Sequence, residues 1–229
     1  MGEIIEFPSN GDTATGYLAV PATGQGPGVV VIQEWWGLVP HIRDVCDRFA
    51  TQGFVALAPD LYRGESTIEP DEAGKLMMSM NLAQAGKDMG GAVDALVAHE
   101  AVSGAGVAVV GFCMGGGLAL LLAAQRPDAV VACAPYYGII PWPDAEPDWS
   151  TVGAVVEGHF AADDGFFSPD KVRALEGRMR AAGVTVDLAV HPGVDHAFFN
   201  DARPEVYDAV EAAAAWTSTL AFFHARLGA

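Results

Sequence analysis

Apolar and polar side chains alternate along residues 3–8 and again along 14–20, on either side of Asn10-Gly11-Asp12. A period of two interrupted by a turn-forming Asn-Gly predicts an antiparallel hairpin. Beyond it the alternation gives way to short unbroken apolar runs: Gly28-Val29-Val30-Val31-Ile32-Gln33, Phe54-Val55-Ala56-Leu57-Ala58 and Val107-Ala108-Val109-Val110-Gly111. Strands buried on both faces need such runs, so these are expected to lie parallel in a sheet covered on both sides. Helical periodicity fills the intervals over Ile42–Thr51, Asp71–Ala98 and Met114–Gln125, with the second pattern expected to break near Gly86 or Gly90-Gly91. The second half repeats the alternation, with strands near Ala129–Cys133, Val152–Phe160 and Val184–Val190 and helices near Pro169–Ala181 and Arg203–Arg226. The stretch Pro135–Ser150 holds four prolines and two tryptophans without any period and reads as a loop. An inserted cap domain there would need far more chain, so the site is expected to be covered by loops alone.

Composition agrees with a packed α/β fold. Of the 229 residues 51% are hydrophobic and 18% charged, and the length suits one domain spanning 1–229. Twelve basic against 29 acidic residues leave a formal charge of −17, which repels nucleic acid and anionic lipid surfaces. The same field disfavours anionic small substrates unless an Arg or Lys offsets it locally. The opening MGEIIEFPSNGD has acidic residues where a secretory signal has a basic start and an apolar run, and no stretch is long enough to span a membrane. A cytoplasmic protein is expected. Cys46, Cys113 and Cys133 form neither a CxxC pair nor an even disulfide framework, so at least one is expected to be free.

One cysteine stands where chemistry is done. Gly111-Phe112-Cys113-Met114-Gly115-Gly116-Gly117 lies between a buried strand and a helix and matches G-x-nucleophile-x-G with Cys in the Ser position. Glycines let strand and helix approach closely around a strained turn, and a helix N-terminus favours a thiolate. The competing reading is a packing cysteine in a Gly-rich turn. Context favours the first, because acid and histidine candidates follow in the order nucleophile, acid, histidine.

A thiol needs a nearby base to attack a carbonyl at neutral pH. His196 lies in a polar turn just past the last strand, at the sheet edge where such folds place their sites. His191 and His159 read as hydrogen-bonded structural histidines, and His41, His99 and His224 as helix-surface ones. A metal site from His191, Asp195 and His196 lacks any specific ligand spacing, so neither metal nor cofactor is expected. The loop Ala161-Ala162-Asp163-Asp164-Gly165-Phe166 offers two acids to orient the base, Asp163 and Asp164; Ser168 and Asp170 are better placed to cap the helix that follows.

With these residues in view the chain resembles the dienelactone hydrolases (carboxymethylenebutenolidases). The resemblance runs through Val31-Ile32-Gln33-Glu34-Trp35-Trp36-Gly37, Ala58-Pro59-Asp60-Leu61-Tyr62, the Cys113 motif and His196-Ala197-Phe198-Phe199-Asn200-Asp201. It implies an α/β-hydrolase fold: a mostly parallel sheet with an N-terminal antiparallel hairpin, helices on both faces and no cap domain. It selects Asp164 as the acid through the register of His159-Phe160, Phe166 and Pro169. It also assigns oxyanion-stabilising N–H groups to Met114 and Trp35, and to Glu34 a part in deprotonating the thiol. An acid beside two indoles is expected to have a raised pKa. The family holds its substrate's carboxylate with two arginines. Here Asn200 occupies one of those positions, Arg203 lies three residues further on, and Lys75 approximates the other. Trp36, Tyr62, Phe198 and Phe199 are expected, with Trp35 and Tyr136, to line an aromatic pocket.

The resulting expectation is hydrolysis of a small ester or lactone through a Cys113 acyl-enzyme, with no nucleic-acid or membrane partner; the sequence leaves the oligomeric state open, a monomer being favoured. The alternatives are a general carboxylesterase or thioesterase, favoured by Asn200, and a non-catalytic redox-sensing or ligand-binding protein that keeps the fold.

Overall fold

The computed structural model describes residues 1–228, with Pro143 described by its backbone alone. The hairpin forms as β1 (Glu3–Ser9) and β2 (Asp12–Ala19), with Gly11 at φ 94° in the turn. The buried runs become β3 (Gly26–Ile32), β4 (Val55–Pro59), β5 (Val102–Phe112), β6 (Val130–Tyr136), β7 (Val155–Ala161) and β8 (Val186–His191). They join in one eight-stranded sheet of order β1-β2-β4-β3-β5-β6-β7-β8, antiparallel at β1/β2 and β2/β4 and parallel elsewhere. The chain steps from β3 outward to β4 and then back across to β5. The direction of winding therefore reverses about β3, and the crevice this opens at the carboxyl ends of β3 and β5 is where such sheets bind ligands.

Helices cover both faces, as the apolar runs require. Helices α1 (Pro40–Thr51) and α6 (Ala209–Leu227) bury Ile42, Phe49, Phe222 and Phe223 on one side. On the other lie α3 (Leu82–Ala98), α4 (Met114–Gln125) and α5 (Pro169–Ala181), burying Met89, Leu118 and Leu175. Every residue of α4 from Met114 to Ala124 is buried. A helix so enclosed needs no polar face, and its sequence has none. By contrast α2 (Pro70–Ser79) buries only Ala73 and lies against the molecule's surface.

Two helix boundaries differ from expectation. The long pattern breaks at Met80-Asn81, where the Asn81 side chain accepts from the Gln84 N–H and caps α3, and not at the glycines. Gly91 instead permits contact with the hairpin, since a Cβ there would sit 2.4 Å from the Pro8 carbonyl oxygen. The last helix starts at Ala209, not Arg203, because Asp208 takes the N-cap and accepts from Val210 and Glu211. Arg203 is thereby left on a turned segment. Among the described residues no helix is long and apolar enough to cross a membrane.

Candidate active site

The strand-to-helix turn after β5 holds Cys113 at φ 55°, ψ −121°, a conformation that costs a non-glycine residue about 1–3 kcal/mol unless its surroundings enforce it. They do so by close backbone contact. A Cβ on Gly111 would lie 1.9 Å from the Gly115 carbonyl oxygen, one on Gly115 2.4 Å from that of Gln33, and one on Gly138 1.9 Å from that of Cys113. The Cys113 N–H is held by the Tyr136 carbonyl at 3.0 Å. Of the three free cysteines only Cys113 is partly exposed. Burial pushes the Cys46 and Cys133 thiols well up, which leaves them inert packing groups.

His196 sits in the turn after β8, its Nδ1 2.8 Å from Asp164 Oδ2. The other Asp164 oxygen accepts the N–H groups of Phe166 and Phe167 at 2.7 and 3.0 Å, so the carboxyl is held from both sides. Asp163 is exposed and takes no part. Burial alone would lower the imidazole's pKa, but hydrogen bonding to Asp164 and the neighbouring Cys113 thiol outweigh it and push His196 up to about 10. Burial likewise opposes ionisation of Asp164, yet its hydrogen bonds and the His196 charge hold it below the usual range. The surroundings thus favour the imidazolium, the form His196 takes once it holds the proton of a neighbouring thiol.

Glu34 follows β3 and is 1% exposed. Its Oε2 accepts from Asn200 Nδ2 at 2.7 Å, while Oε1 is buried without a partner. The Tyr137 hydroxyl is buried and unpartnered as well, and burial together with the adjacent Glu34 and Cys113 holds its pKa far above the usual phenol range. Tyr137 and Asn200 are the polar neighbours that sequence reasoning did not assign to Glu34; neither spacing nor pattern marks them.

A cavity of about 450 Å³ opens over these groups, lined by Glu34, Trp35, Trp36, Cys113, Met114, His196 and Arg203 among the expected residues. Met114 is the first residue of α4, so its N–H is not used within the helix, and Trp35 follows the end of β3. Pro70, Met77, Pro141, Phe166, Phe167 and Ala197 complete the wall. Phe166 and Phe167 carried a signal, since they directly follow the acid loop. A surface hollow of about 540 Å³ near Ala19–Thr23 and Asp47 has neither thiol nor histidine on its walls.

Several expected residues lie elsewhere. Lys75 is exposed on α2 and paired with Glu72 at 2.6 Å. Tyr62 lies behind Met114, its hydroxyl donating to Sδ at 3.4 Å. Phe198 packs on Tyr137 and His191, and Phe199 on Phe112, Tyr136 and Trp216, so both belong to the core. Tyr136 is also fully buried, its hydroxyl bonded to Thr219. His41, expected at the surface, is buried at the start of α1 between Phe112 and Phe199, with Nδ1 3.2 Å from Asp201.

Comparison with known proteins agrees with this architecture. A relative called Protein usf, from Aquifex pyrophilus, is 41% identical over 97% of this chain and 98% of its own. A protein of Aquifex aeolicus named "Putative carboxymethylenebutenolidase" is 35% identical over 97% of this chain and 98% of its own. The crystal structure titled "Putative Dienelactone Hydrolase" from Klebsiella pneumoniae superposes with a TM-score of 0.87 at 30% identity, covering 97% of this chain and 98% of that one. The model of the dienelactone hydrolase family matches residues 14–227, and the chain belongs to that family.

Proposed function

We propose that this member of the family cleaves small esters or lactones with Cys113 as nucleophile, His196 as base and then acid, and Asp164 as the group that orients the imidazole. The observation that carries this reading is the partly exposed thiol on its left-handed turn, sharing one cavity with a histidine already bonded to a buried acid. In the first step the thiol proton passes to His196 and sulfur adds to the carbonyl carbon. The N–H groups of Met114 and Trp35 receive the charge that develops on oxygen. Collapse breaks the bond to the alcohol, which leaves with the proton from His196. Water, deprotonated by the same imidazole, then cleaves the thioester and restores the thiol. Glu34 assists the initial deprotonation from its position on the cavity wall.

Cys113→Ala is expected to lower hydrolysis of p-nitrophenyl acetate by roughly 10⁴-fold or more, given what loss of a nucleophile costs comparable enzymes. Full retention of activity would refute the assignment.

A further inference from the structure

The charged groups around the cavity indicate which substrates it accepts. Glu34 presents its carboxyl to the inner wall, and its bonded partner is a neutral amide. Asn200 is 2% exposed and engaged at both ends, donating to Glu34 and accepting from the Ala202 N–H at 3.1 Å. Buried behind the wall and not among the residues that line the cavity, it presents no donor to a ligand's carboxylate there. His196 is committed to Asp164. Arg203 is the cation that lines the cavity, and it is already compensated: Nε and a terminal nitrogen both meet Glu205 Oε1 at 2.9 Å, while the guanidinium lies 5.7 Å from the Trp36 ring centre. Lys75 faces solvent with Glu72. Among the described residues, no uncompensated cation faces the cavity.

The rest of the wall is apolar and largely aromatic, with Trp35, Trp36, Met77, Phe166 and Phe167 its bulkiest members. A carboxylate entering this space gives up its hydration for rings and for the neighbourhood of Glu34, and approaches through the field of a chain with net charge −17. An uncharged ester of the same length gives up little. We propose, on the footing of the function given above, that this hydrolase selects uncharged, apolar esters or lactones and discriminates against those bearing a carboxylate, with the Arg203–Glu205 pair setting part of that preference.

The test compares p-nitrophenyl pentanoate with the p-nitrophenyl monoester of glutaric acid, which differ by a terminal methyl against a carboxylate. At low ionic strength kcat/KM is expected to favour the pentanoate by roughly 100-fold, the scale of unfavourable like-charge placement in an apolar site. Added salt is expected to raise the value for the glutarate ester and leave the pentanoate value unmoved, because only the former feels the screened field. Glu205→Gln, an exposed change that frees Arg203, is expected to narrow the ratio severalfold. A ratio near one, or preference for the glutarate ester, overturns the inference while hydrolysis stands. A ratio in E205Q equal to that of the parent overturns the part given to Arg203. Failure to cleave either ester overturns the proposed function itself.

Discussion

At the residue scale the account turns on the pairing of His196 with Asp164 and on the burial of Glu34. His196 is raised to about 10 in the folded chain, so its contribution to stability is complete below the ordinary imidazole value near 6.5. That contribution declines as pH rises from there and is gone above about 10. Thermal melts of the parent and of His196→Gln should therefore differ most near pH 6 and converge toward pH 10; a gap independent of pH would contradict the pairing. Asp164→Asn should keep KM and lower kcat by roughly 10²–10⁴-fold, as loss of the orienting acid does elsewhere. The positions of Cys113 and His196 at strand ends were legible because this fold writes such positions into short local motifs. The Asn200–Glu34 bond was not, since 166 residues separate the two and neither carries a motif that names the other. Phe198 and Phe199 were misplaced for a related reason. An aromatic next to a site histidine has no local mark of which way the chain turns, and here both turn into the core.

At the element scale the structure depends on the turn that joins β5 to α4. The glycines there are demanded by backbone and not by flexible side chains, so Gly115→Ala meets the carbonyl oxygens of Gln33 and Ile32 at 2.4 and 2.6 Å. Such overpacking should cost about 3 kcal/mol or more in urea unfolding, and a loss under about 1 kcal/mol would show the turn to be looser than described. The cap of α6 is a milder case. Asp208→Ala removes two hydrogen bonds to the first turn and is expected to cost about 1 kcal/mol. Elements were well legible wherever burial dictated composition, as in β3, β4 and β5. Their ends were less so, because Asn81 and Asp208 set them by side-chain capping, whereas the glycines and Arg203 that seemed to mark boundaries serve packing and a turn.

At the scale of the whole molecule a rigid sheet meets a lightly attached wall. The strands β3, β5 and β6 are enclosed between helices, while α2, which gives Pro70 and Met77 to the cavity, buries a single residue. Hydrogen exchange should accordingly be fastest in α2 and slowest in the central strands, and uniform protection would contradict that division. On the proposed function, the wall given by α2 is the part expected to yield to substrates, with the thiol, imidazole and acid held at strand ends. Its central claim is covalent: the acyl group of the substrate passes through Cys113. Rapid quenching of the enzyme with p-nitrophenyl acetate, followed by intact-protein and peptide mass spectrometry, tests this directly. The account predicts an acetyl group on the Cys113 peptide that forms with the p-nitrophenol burst and decays at the turnover rate. Hydrolysis without acetylation of that peptide, undiminished in Cys113→Ala, would contradict it.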